Sequence, residues 1–264
     1  MPQLLIRSRR NYRPSKAFSK DPTGSLSLER AYEKELKILF LHFKNGVIRT
    51  FKISAGIREM ESPPINVPMF VRSLDQLAQI IVNAGAPIVN EHTVKAYNHG
   101  TAFAQMILKK SGRPQFKWMP DKPPVSFMFT GPNTATYEAM LHNNLGDLTK
   151  TTEDIKNLIK REMLTGVEKS ETTLQIMRRI RDAADLGTER ATLIARTEVM
   201  KAVNQGAAER YKEAGVRYEW LTTHDELLCD ECAAMDGKPV TTDLPPLHPR
   251  CRCTVIPVAY GSEE

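Results

Sequence analysis

No stretch of this sequence approaches the roughly 20 apolar residues that span a bilayer, so a membrane-spanning role is set aside and no membrane is required for folding. The first twenty residues lack the apolar core of about 7–15 residues and the small-residue cleavage site of a secretory signal, which places the protein in the cytoplasm where it is made. They also lack acid entirely, while carrying Arg7, Arg9, Arg10, Arg13, Lys16 and Lys20. Those six account for the net charge of +6, because 31 further basic residues balance the 31 acidic ones. Cysteine is missing from everything before residue 229, and all four cysteines fall in the last forty residues.

What is present follows from those absences. With 264 residues, 41% of them hydrophobic, the chain can bury one large core or two modest ones without metal or disulfides. A basic arm over residues 1–24 has little to bury and can neutralise phosphates, either as a solubilising tail or as a contact to non-specific double-stranded DNA or an acidic partner. In a reducing compartment four cysteines in one segment favour metal over two disulfides. Cys229-x₂-Cys232, followed by His248-Pro249-Arg250-Cys251-Arg252-Cys253, has the spacing at which two turns converge on a tetrahedral zinc.

Residues 25–110 read as a helical region. Ser25 or Ser27 can cap a helix carrying Leu28, Tyr32, Leu36, Leu39, Leu41 and Phe43 to about His42. Val47–Ile53 alternates loosely and fits either a strand or a continuing amphipathic segment. Two more helices are predicted over 73–84 and 91–109, and His92 and His99 in the second read as ordinary histidines. Residues 111–132 hold five prolines among Phe116, Trp118 and several basic residues, which predicts a linker or docked loop. Over 133–215 the helical pattern returns: one helix starting at Thr151 or Thr152, a second from Ser170 stopping at Gly187, and a third from Thr188 with an alanine-rich stripe. Short turns between them predict an antiparallel bundle.

From residue 216 to 258 the period changes. Val216–Thr222 reads as a strand, the Asp236-Gly237 pair as a tight hairpin turn, and Cys253–Val258 as a last strand. The fold class is therefore mainly α with a small α+β C-terminal module, a helical bundle followed by a short-stranded, zinc-clamped β region. Two ligand sets remain open. Cys229, Cys232, His248 and Cys251 form one, with Cys253 spare; Cys229, Cys232, Cys251 and Cys253 form the other, with His248 as a supporting donor. Each set closes the ion against water, as structural zinc requires.

The ordered run Ala195-Arg196-Thr197-Glu198, Asn204, Gly215-Val216, Trp220, Thr223, Asp225, Cys229-x₂-Cys232, Asp236-Gly237 and His248-Pro249-Arg250-Cys251-Arg252-Cys253 resembles the C-terminal domain of the phage Mu F-like minor head proteins, the phage head-morphogenesis family. The resemblance implies a minor capsid protein without enzymatic activity, located in the virion inside the head near the portal and in the host cytoplasm during assembly. It implies roles in procapsid assembly and in DNA packaging, delivery and ejection. Portal protein, scaffold or major capsid protein and double-stranded DNA are the partners it implies. It also marks Arg196, Thr197, Glu198, Asn204, Trp220 and Asp225 as a structural network. Two other classes compete: a zinc-dependent HNH-like nuclease and a zinc-ribbon DNA-binding protein. Both need a helix after the Cys/His cluster, and only eleven residues follow Cys253.

Overall fold

The computed structural model describes residues 21–56, 65–110, 134–223 and 228–258. Four long helices dominate: α1 (Leu26–Ser54), α2 (Val67–Lys110), α3 (Thr134–Glu168) and α4 (Thr173–Glu213). Then come β1 (Tyr218–Leu221), the short α5 (Asp230–Met235) and β2 (Thr254–Pro257). No helix among the described residues is long and apolar enough to cross a membrane.

The chain forms two compact units, and every long helix contributes residues to both. One comprises Arg30–Glu91 and Leu141–Ala195. There Phe51 meets Phe70 edge-on, with ring centroids 5.6 Å apart. Lys160 donates to Asp75 (2.8 Å) and Arg190 to Asp154 (3.2 Å). Lys44 bonds Asp185, and Thr192 bonds Glu33 at 2.9 Å. In each of these helix pairs, later residues on one helix meet earlier residues on the other. Consecutive helices therefore run antiparallel, and α4 returns to α1 to close a four-helix bundle. Leu36, Phe40, Phe43, Val47 and Phe51 of α1, Phe70 and Leu74 of α2, Ile155 and Ile159 of α3, and Ile176 and Ile180 of α4 are buried in it, at the spacing one helix face requires.

Four boundaries differ from the sequence expectation, each for a local reason. Val47–Ile53 is helix and not strand: Val47 and Phe51 lie one turn apart on the buried face, and packing there outweighs the β preference of their side chains. Residues 73–84 and 91–109 belong to one helix that runs through Gly85 and Pro87. A Cβ at Gly85 would come within 2.4 Å of Leu148, so the glycine is there for close packing, and exposed Pro87 leaves its lost hydrogen bond on the water side. Helix α3 begins at Thr134 and passes through Thr152, whose hydroxyl donates to the Leu148 carbonyl (2.9 Å), which is how a buried mid-helix threonine is satisfied. Gly187 does not end a helix either. It lies inside α4, where a Cβ would meet the Phe40 ring at 2.7 Å. That helix starts from a capping box, Thr172-x-x-Gln175: the Thr172 hydroxyl accepts from the Gln175 N–H (3.4 Å) and Gln175 Oε1 accepts from the Thr172 N–H (2.8 Å).

The other unit comprises Met1–Glu29, His92–Met140 and Arg196–Glu264, within which the described residues build a second core. Phe103, Ala104, Ile107 and Leu108 of α2 pack with Ala207, Ala208 and Tyr211 of α4 and with Val255 of β2. The two helices touch backbone to backbone. A Cβ on Gly100 would lie 1.9 Å from the Val203 carbonyl oxygen, and one on Gly206 would lie 2.2 Å from that of Tyr97. His99 lies 2.7 Å from the Thr23 carbonyl and His92 is buried, so these two histidines serve the helix packing.

Strands β1 and β2 pair antiparallel, Trp220 opposite Val255. The expected hairpin at Asp236-Gly237 is instead the end of α5, with Gly237 in the left-handed conformation (φ 72°) that follows a helix. The chain then doubles back along β1: the Gly237 N–H donates to the Trp220 carbonyl (2.9 Å), and the Lys238 carbonyl accepts from the Trp220 N–H (3.0 Å).

Candidate metal centre

Two short turns and one strand end bring the cysteines and His248 together. Cys229 is the N-cap of α5, extended at φ −85° and ψ 161°, and its sulfur accepts from the Cys232 N–H at 3.4 Å. That bond turns the chain so that both sulfurs face the same side. The second turn spans His248 to Cys251, closed by the Cys251 N–H donating to the His248 carbonyl (3.2 Å), with Arg250 in the left-handed region at φ 66°. A non-glycine residue held there carries strain that only its surroundings can maintain.

Within the cluster, His248 Nε2 lies 3.2 Å from Cys229 Sγ and 3.2 Å from Cys232 Sγ, and Cys232 Sγ lies 3.6 Å from Cys251 Sγ. The donor atoms fall into two overlapping groups, Cys229–Cys232–His248 and Cys232–Cys251–Cys253, and within each group they lie within 4.8 Å of one another. A tetrahedral zinc with Zn–S of about 2.3 Å and Zn–N of about 2.0–2.1 Å sets sulfurs about 3.8 Å apart, and sulfur from nitrogen about 3.6 Å. The three spacings just given fit such an ion to within about half an ångström, while among the described residues no four donors lie mutually within 4.8 Å. Cys232, Cys251 and Cys253 are buried together with Trp220, and Leu228, Met235 and Val240 pack around them.

The electrostatics of the cluster are compatible with a cation. The Cys251 thiol is drawn down to about 5, chiefly by the hydrogen bond from the Cys253 thiol. Cys253 is pushed far up by that same bond and then by burial. Burial pushes Cys232 up to about 12. Cys229 is lowered by the Cys232 backbone N–H, and His248 is raised by its bond to the Pro249 carbonyl. Buried thiols this close cannot all ionise beside one another, so alone the cluster retains protons. A divalent cation would relieve that conflict by stabilising as thiolates the sulfurs that bind it.

The polar residues marked by the sequence motif divide. Asn204 of α4 is fully buried and fully used. Its Nδ2 donates to the carbonyls of Pro245 and Cys253, both at 3.1 Å, and its Oδ1 accepts from the Thr254 hydroxyl at 2.8 Å. Asn204 thereby ties the helix to the strand that follows the last cysteine. Trp220 is buried against the cysteines themselves. Glu198 is buried on α4 and pairs with Lys201 at 2.7 Å. Arg196 and Thr197 are half-buried on the same helix. Asp225 lies outside the described residues, as do Arg7, Arg9, Arg10, Arg13, Lys16 and Lys20. Sequence reasoning missed Thr254 and the carbonyls of Pro245 and Pro249, since nothing in a residue's identity announces which backbone oxygens face inward.

No curated protein and no solved structure matches the chain. One family model does, described as Phage Mu protein F like protein, over residues 157–256. Those residues take in the end of α3, all of α4 and the Cys/His cluster, and the match ends within β2, the strand that Asn204 holds. Across residues 157–256 the chain is therefore similar to the Phage Mu F-like proteins.

Proposed function

We propose that this protein is a minor head-morphogenesis component of a tailed phage, one that sits inside the head by the portal, helps assemble the procapsid and assists DNA packaging and delivery. The observation that carries this reading is the family match over residues 157–256, which falls on a helix and a Cys/His module joined through buried Asn204. In this reading the long helices dock on portal, scaffold or major capsid protein, and the basic residues from Arg7 to Lys20 meet packaged DNA without sequence preference. The protein is made in the host cytoplasm and ends in the virion.

The chemistry at the cluster is structural. Five protein donors compete for the four positions of a tetrahedral zinc, which leaves none for a water nucleophile, and a closed site of this kind contributes folding energy and not turnover. Zinc suits a donor set of thiolates and imidazole better than the oxygen-seeking cations do.

Purification of procapsids and mature particles tests the proposal. The protein should be found in heads together with portal, and heads from a phage lacking it should be misassembled or unable to deliver DNA. Its absence from purified heads would overturn the reading. Metal-dependent DNA cleavage abolished by His224→Ala or His248→Ala in a folded protein would overturn the non-enzymatic part.

A further inference from the structure

We infer that the ion is held by three sulfurs and one nitrogen, from Cys229, Cys232, His248 and Cys251, and that Cys253 is a supporting thiol outside the coordination sphere. This rests on the structural-zinc reading above and settles which of the five donors is left out.

The imidazole decides first. His248 Nδ1 lies 2.8 Å from the Pro249 carbonyl oxygen, an atom that can only accept, so Nδ1 carries a hydrogen. In the neutral ring Nε2 then presents a lone pair, and that lone pair faces two sulfurs, each 3.2 Å away. A ring fixed through one nitrogen by a backbone carbonyl, with the other aimed into a thiol cluster, has the arrangement of a metal-ligating histidine.

The fourth position follows from the backbone. Cys229 to Cys232 and His248 to Cys251 are two turns of equal length, each closed by a hydrogen bond from the amide of its last residue. The second turn holds Arg250 in the left-handed conformation, which brings Cys251 round to within 3.6 Å of Cys232. Cys253 is placed differently. Its carbonyl is claimed by Asn204 of α4 and the next residue begins β2, so its backbone belongs to the strand and the helix, not to a turn. Its thiol lies with those of Cys232 and Cys251 and is not grouped with His248, and beside the ligands it can donate to a thiolate.

Zinc X-ray absorption on the intact full-length protein reads the answer without any substitution. The expected spectrum shows three sulfurs and one nitrogen at about one zinc per chain. Four sulfurs with no nitrogen would overturn the inference while leaving structural zinc intact; absence of bound zinc from protein purified under reducing conditions would overturn both, without touching the head assignment. The Cys253→Ser protein should keep one zinc and the same spectrum. Loss of the ion from that variant, with Cys251→Ser retaining it, would also refute the assignment.

Discussion

Replacing Asn204 with alanine should weaken the C-terminal module more than any other single polar substitution on α4. The change deletes two donations to carbonyls at 3.1 Å and one acceptance from Thr254 at 2.8 Å, all in a site shielded from solvent. Each buried partner left unsatisfied costs about 1–3 kcal/mol. The three are not additive, since one water entering the space of the lost amide can bond two of them, so the expected loss is about 2–4 kcal/mol in urea unfolding of the zinc-loaded protein. Because Cys253 follows the ligands directly, competition with a chelator should show zinc affinity lower by about tenfold, in the range found when groups supporting metal ligands are removed. Asn204→Asp sharpens the test. It keeps the acceptor for Thr254 but turns a carboxylate oxygen toward two carbonyls, so it should destabilise more than alanine does despite its closer shape. A loss under about 0.5 kcal/mol for alanine, or an aspartate variant as stable as wild type, would refute the claim that this amide holds helix and strand together.

Gly100→Ala and Gly206→Ala each place a methyl against a carbonyl of the facing helix, at 1.9 and 2.2 Å, so each should cost about 3 kcal/mol or more in thermal or urea unfolding. Gly146→Ala, with nothing within 4 Å, should be neutral or stabilising. Chelation should loosen residues 218–258, read by hydrogen exchange, while most of the far-ultraviolet helical signal survives, because no ligand lies in the Arg30–Glu91 and Leu141–Ala195 bundle. In that bundle Asp75 is held below its ordinary value by Lys160 first and also by Lys156. A depressed carboxylate stabilises the fold above its unfolded value of about 3.9 and loses that contribution as pH falls through its folded value. Asp75 is largely exposed, so Asp75→Asn should cost only a few tenths of a kcal/mol at pH 7 and nothing at low pH. Removing residues 1–20 should flatten the salt dependence of DNA binding; an unchanged slope would make the arm a bystander.

The helical character, the strand after Gly215, the final strand and the Cys/His convergence were legible in the sequence, because period and ligand spacing are local properties. The breaks were not. Gly85 and Gly187 carry the residue type that ends helices, yet each is required by a neighbour distant in sequence, Leu148 or Phe40, that no local pattern reveals. For the same reason Asn204 could be singled out by resemblance but not explained. Its partners are two carbonyls and a threonine some fifty residues ahead, chosen by the fold.

The core that Val255 shares with Phe103 and Tyr211 also has a consequence for the order of folding. One wall of that core is synthesised more than half a chain length before the strand that closes it. The wall must wait, apolar and open, until β2 exists. Long-range closure of this kind slows folding and lengthens the exposure of sticky surface. On the structural-zinc reading, capture of the ion comes at the same late moment, since the last candidate ligands stand directly before β2. On that reading metal binding and closure of the core are coupled, and chains denied zinc should keep their helices while this core stays unfinished.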